Sequence, residues 1–208
     1  MIEIIENSIQ LGTLTVCTIM TALFSLRKQS QEGASLAMFY SSYVLGDLFW
    51  LLYLICYGHI PRIFYVSYLS WYAAFLFLYM LLQRISTEEE RKSSYPFACL
   101  LPAFCIAMSV FYMQWGDYAG NLVSAALMSM LMFHTVRGLL FLRSRPEEAS
   151  RRYLYYTVLL FCILEYCAWT ASCFFSGDDL SNPYYWADFL ITVCMVFLLP
   201  ALRKAVVP

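Results

Sequence analysis

Apolar positions in this chain run in long unbroken stretches, without the strict alternation of strands in a barrel wall. Seven stretches qualify as helical spans, roughly 8–26, 35–57, 62–83, 95–114, 118–142, 152–175 and 183–203. Each comes close to the about 20 apolar residues that a helix needs to cross a bilayer. The breaks are charged or turn-forming: Arg27-Lys28-Gln29-Ser30, His59-Ile60-Pro61-Arg62, Glu88 to Lys92, Gly116-Asp117, Arg143 to Arg152, and Ser176 to Asp179. The pattern predicts an all-α, polytopic membrane protein with seven transmembrane helices. His134 and Arg137 interrupt the inner end of the fifth span.

Composition agrees. Of 208 residues, 62% are hydrophobic, 18% aromatic and only 13% charged. A soluble domain carries about 25% charged residues, so too few charges exist here to coat a water-facing surface. A net charge of −1 without a basic patch excludes a nucleic-acid partner.

Charge placement then sets the expected orientation. Arg27 and Lys28, then Arg84, Arg91 and Lys92, then Arg143, Arg145, Arg151 and Arg152, and finally Arg203 and Lys204 fall in every second loop. The alternate loops carry Arg62 with Asp117, Asp178 and Asp179. By the positive-inside rule the N-terminus is outside and the C-terminus cytoplasmic. Glu3 and Glu6 precede the first span and positive charges follow it, the reverse of a cleavable signal peptide. Short loops leave no room for a soluble domain, and the expected location is a bacterial plasma membrane.

An internal repeat is legible. Arg27 to Ser35 and Arg143 to Ser150 are similar basic loops, each opening a long span with an acid near its middle, Asp47 and Glu165. Phe77 to Arg84 and Phe197 to Lys204 end spans three and seven alike, at an offset of about 115 to 120 residues. The expected plan is three helices (1–84), a linker helix (95–114) and three more (118–204). Because the linker flips the chain once, the repeat is parallel, with its axis along the membrane normal. This three-plus-one-plus-three plan resembles the PQ-loop superfamily, which includes SWEET sugar transporters, lysosomal amino-acid exporters and the KDEL receptor. The chain has no Pro-Gln dipeptide, and its prolines within spans are Pro102 and Pro200, so no functional residue carries over. Leu45-Gly46-Asp47 is similar to an acidic motif of the lysoplasmalogenase membrane enzymes, for which eight spans are expected.

Ionisable residues inside a span are expensive and are functional candidates by default. At about 1.5 Å of rise per residue, Asp47 and Glu165 lie near the midplane and Asp188 nearer the outer surface. Tyr43 and Trp50 flank Asp47 at helical spacing, span three contributes Tyr68, and Trp169 follows Glu165 by one turn. Asn121 is shallow on the same side. These eight residues predict an outward-facing, aromatic-walled polar cavity for a small ligand. His134 is the candidate proton relay to the cytoplasm, with a satisfied structural histidine as the alternative. A carboxyl held by Tyr or Ser that merely braces the bundle is the alternative for Asp47 and Glu165, and an aromatic belt is the alternative for residues around Trp186.

Several chemistries drop out. No phosphate-binding glycine loop, HExxH or CxxC occurs, and the eight scattered cysteines read as small apolar filler, with a Cys56–Cys173 disulfide left open. Span seven has no interior lysine for retinal. No Ser-His-Asp set can form, because His134 is at the wrong depth. No cofactor, metal or catalytic residue is expected. The first functional expectation is a small-molecule transporter in which two deep carboxyls share a proton. A receptor or sensor for an external ligand is the second, and a membrane-embedded lipid enzyme the third. Membrane lipid and a small-molecule ligand are the expected partners, with a homo-oligomer or a cytoplasmic partner left open.

Overall fold

The computed structural model describes residues 2–59, 61 and 65–206; Ile60 and Arg62 of the second break lie outside them. The helices are α1 (Ile2–Lys28), α2 (Gln31–Tyr57), α3 (Tyr65–Ile85), the short α4 (Glu88–Lys92), α5 (Leu100–Tyr112, with 3-10 turns at Pro96–Cys99 and Met113–Trp115), α6 (Tyr118–Leu142), α7 (Arg152–Phe174, preceded by a 3-10 turn at Pro146–Arg151), α8 (Pro183–Val196) and α9 (Leu198–Val206). No strand occurs among the described residues. Seven helical units, with α8 and α9 counted together, are long and apolar enough to cross a membrane.

Local chemistry sets the ends. Ser30 accepts from the Gly33 amide at the start of α2, Thr87 does so for Glu90 in α4, Asp117 for Gly120 in α6, and Asn182 for Tyr184 in α8. Each satisfies one of the amides that a helix start leaves open. Gly58 closes α2 at φ 69°, a left-handed position where lack of a Cβ removes the strain. The last span is two helices because Pro200 has no N–H for the carbonyl four residues back, so the backbone turns at Phe197. Two residues earlier the Met195 carbonyl accepts from the Tyr40 hydroxyl at 2.6 Å, fastening α2 to the break.

The first helix begins six residues before the stretch that hydropathy marks. Its buried face reads Asn7, Gln10, Leu14, Cys17, Thr21 and Phe24, while Ile5, Ile9, Val16, Ile19 and Leu23 are exposed. The polar residues point inward and the aliphatic ones outward, the arrangement suited to lipid as solvent. A hydropathy threshold starts counting only beyond Glu6 and therefore misses the first two turns.

Packing runs in chain order. α2 lies between α1 and α3, and α7 between α6 and the α8–α9 unit. Contacts of α3 with α6 and of α1 with α8 close the ring, while α5 packs on the outside of α6. The N-terminus, the end of α2 and the start of α8 share one end, here the N face; the basic ends of α1 and α9 share the C face. Between α2 and α7 the core is filled by side chains: Phe39 meets Phe161 edge-on at 5.9 Å, and Phe75 meets the same ring from α3 at 5.9 Å.

Candidate functional site: a carboxyl cluster under the N face

One turn above the Phe39–Phe161 contact, Tyr43 of α2 donates its hydroxyl to Glu165 Oε1 of α7 at 2.9 Å. One turn further along α2, Trp71 of α3 donates its indole N–H to Asp47 Oδ1 at 3.1 Å. Gly46 makes that bond possible: a Cβ there would come within 2.6 Å of the Trp71 indole nitrogen. Ser67 adds a hydrogen bond to the Gly46 carbonyl at 3.1 Å, seating α3 against the same turn of α2. Trp71 then lies with its ring centroid 6.4 Å from Tyr43, 6.0 Å from Trp50 and 6.1 Å from Tyr68.

α1 and α8 complete the group. Glu3, Glu6 and Gln10 recur at helical spacing on one face of α1. Gln10 donates to Asp188 Oδ1 at 3.2 Å and to Thr192 Oγ1 at 2.9 Å. Glu6 of α1 and Asp188 of α8 stand carboxyl beside carboxyl, an arrangement that two charged groups resist and a shared proton relieves. Trp50 donates to Glu3 Oε1 at 3.1 Å and covers the group from above. Asp47, Glu165 and Asp188 are only 1%, 4% and 8% exposed, whereas Glu3, Glu6, Trp50, Trp71 and Tyr184 are partly open at the N face. Burial thus deepens from a half-open mouth to a closed floor.

The electrostatics are one-sided. Asp47 feels the charges of Asp188 and Glu165, and Glu6 feels those of Asp188, Asp47 and Glu3. None of the ion pairs among the described residues includes these four deeper acids; all lie at the C face. Buried oxygens Oδ2 of Asp47 and Oε2 of Glu6 have no hydrogen-bond partner. Among the described residues no group of three His, Cys, Asp or Glu has the geometry of a metal site.

Of the residues that the sequence singles out, Asp47, Glu165, Asp188, Tyr43 and Trp50 come together, with Tyr68 one ring away. The other three go elsewhere. Trp169, although one turn from Glu165, packs on Tyr166 at 5.3 Å and Tyr112 at 6.5 Å in the aromatic contact between α5 and α7. Asn121 donates to the Gly116 carbonyl at 2.9 Å and accepts at its own carbonyl from Ser109, bracing the turn before α6. His134 lies toward the C face, where Arg137 donates to its Nδ1 at 2.7 Å and Gln83 Nε2 is 3.1 Å from its Nε2. The rings of Tyr43, Trp50 and Trp71 pack around Asp47 where the sequence predicts an open cavity. Two hollows among the described residues lie elsewhere, at the basic ends of α1 and α9 and beside Phe49 and Tyr53 of α2. Glu6, Gln10, Trp71 and Thr192 belong to the site but were outside the predicted set. The Glu3–Glu6–Gln10 spacing was the available signal. All eight cysteines are free.

A second buried carboxyl sits at the C face. Glu90 of α4, fully buried, accepts from Tyr155 at 2.6 Å, Ser86 at 3.0 Å and Arg151 at 3.0 Å. Arg151 also donates to the Ile85 carbonyl at 2.8 Å and pairs with Glu148. Gly138 of α6 leaves the room: a Cβ would come within 2.6 Å of the Tyr155 ring and 2.9 Å of Glu90.

Comparison of the chain with family models, with curated proteins and with solved structures finds no match.

Proposed function

We propose that this protein is a proton-coupled transporter of a small molecule, working in a plasma membrane with its N-terminus outside. The observation that carries this reading is the Tyr43–Glu165 bond and what surrounds it. Four carboxyls drawn from α1, α2, α7 and α8 meet at the N-face half of the bundle without a basic partner in any ion pair described. Taking a carboxylate out of water without a counter-charge costs several kcal/mol, so such a group binds protons and releases them when its surroundings change. That is the coupling element a transporter needs.

The helix neighbours support a parallel repeat of α1–α3 and α6–α9 about an axis along the membrane normal. Exchanging the two groups turns the α3–α6 contact into the α9–α8 unit's contact with α1, and α2 into α7. Transport would then rock one group against the other around the shared carboxyls. The Glu90–Arg151–Tyr155 contact closes the C face between the groups and must part for the site to open there.

Reconstituted protein tests the reading. Uptake of candidate metabolites driven by a pH gradient is measured for the wild type, Asp47→Asn and Glu165→Gln. Wild-type flux that rises with the gradient, and loses that dependence in both variants, supports proton coupling. Flux and pH dependence left intact in both variants overturn it.

A further inference from the structure

Resting on that reading, we propose that the carboxyl cluster takes a small organic cation, an amine or a quaternary ammonium, in exchange for a proton. The acids alone would not carry this. The second observation is Asp47 itself: it is 1% exposed, its Oδ1 is fixed by Trp71, and its Oδ2 is buried without a hydrogen-bond partner. A buried acceptor left open is destabilising, and a ligand ammonium N–H or a polarised N-methyl group supplies the missing partner.

The walls choose among cations. Trp71 and Trp50 stand 6.0 Å apart with Tyr43 and Tyr68 against Trp71. Aromatic faces attract organic cations through the ring quadrupole, most strongly when both are dry. Hard metal ions want six or more oxygen ligands. Here Glu165 Oε1 and Asp47 Oδ1 already take a phenol and an indole donor, whose hydrogens point at the position a metal would need. An anionic ligand would meet carboxyls from four helices.

The groups facing Asp47 are Tyr43 on its own helix, Trp71 on α3, Glu6 on α1, Glu165 on α7 and Asp188 on α8. All are acidic or neutral. When a monocation settles against the Asp47 carboxylate, the proton shared within the cluster is the charge that leaves. Partly open Glu6 and Glu3 give it a path to the N face. Each cation bound releases one proton, so charge is conserved in the site.

Binding is read on the purified full-length protein in detergent, with tetramethylammonium, choline and phenethylammonium as probes. The neutral carbon isostere of choline, 3,3-dimethylbutan-1-ol, is the control. The expected result is a melting-temperature rise with at least one cation and none with the alcohol. Proton release close to one per cation bound is expected in weak buffer, and Asp47→Asn should bind at least tenfold more weakly while melting near the wild type. No stabilisation by any of the three cations overturns the proposal, as does equal binding of choline and the alcohol, or unchanged affinity in Asp47→Asn. Failure here is distinct from failure of the transporter reading. Cation binding without flux removes transport and keeps the ligand class. Proton-driven flux of a neutral or anionic compound with no cation binding keeps transport and removes the ligand class.

Discussion

Glu90 at the C face and Asp47 under the N face are both almost free of solvent, 0% and 1% exposed. Each is reached by an aromatic donor that a glycine admits, Gly138 for Tyr155 and Gly46 for Trp71. From there they diverge. Glu90 is bonded by Arg151, Tyr155 and Ser86. Asp47 has one donor and one bare oxygen, and its charged neighbours are acids. A buried carboxylate with a full complement of partners fixes a structure, because parting it from its cation strands a charge. A buried carboxyl among other carboxyls fixes little, and its protonation is free to change with what binds. The two ends of the bundle thus hold the same residue class in opposite settings, fully partnered at one and with a bare oxygen among acids at the other.

The largest effect should come from breaking the fully partnered contact. Arg151→Met leaves Glu90 buried without its cation and should cost about 3–5 kcal/mol of stability, read by denaturation in detergent. The double variant with Glu90→Leu should recover most of that loss. If Arg151→Met is harmless, the contrast between the two ends fails.

The glycines come next. Gly138→Ala and Gly46→Ala each force an aromatic ring out of a space with no slack, at about 1–3 kcal/mol. Their functional consequences should differ: Gly46→Ala moves Trp71 off Asp47 and should reduce proton-driven flux beyond any loss of folded protein. Gly138→Ala should alter stability and gating at the C face but leave ligand affinity within about twofold. Equal effects of both on affinity would erase the distinction.

Changes at Asp47 itself should be milder in stability and sharper in function. Asp47→Asn keeps an acceptor for Trp71 and places its amide among carboxyl acceptors, so it should cost no more than about 1 kcal/mol, while losing pH-dependent flux. Asp47→Leu strands the indole N–H and should cost about 1–3 kcal/mol. An Asp47→Asn loss as large as that of Arg151→Met would make the N-face cluster a second structural contact of the same kind.

The smallest effect belongs to the loop over the site. The Ser181 hydroxyl and amide hold the Asp179 carboxyl below the usual carboxylate range. A depressed pKa stabilises the turn at pH above the unfolded value of about 3.9 and loses that contribution as pH falls through the folded value. Amide exchange at Ser181, corrected for its intrinsic rate, should quicken between neutral pH and about pH 3. Asp179→Ala should remove the pH dependence without touching flux.

Span number, helix type and the polarity of the loops follow from the sequence alone. A bilayer demands long apolar runs with every backbone group bonded within the helix, and that demand is met residue by residue along the chain. Asp47, Glu165 and Asp188 stood out for the same local reason, as charges where none is cheap. What they touch was decided by the tertiary structure. Glu6 precedes the predicted first span and Gln10 lies inside it, but only the extension of α1 over both turns them onto Asp188. Trp169 follows Glu165 by one turn yet faces α5, because a few tens of degrees of helix rotation choose between neighbours that spacing treats alike. Glu90 falls in the charged break Glu88 to Lys92, yet the fold buries it against Arg151. Periodicity reports which face of a helix is apolar; only packing says which helix, and which donor, that face meets.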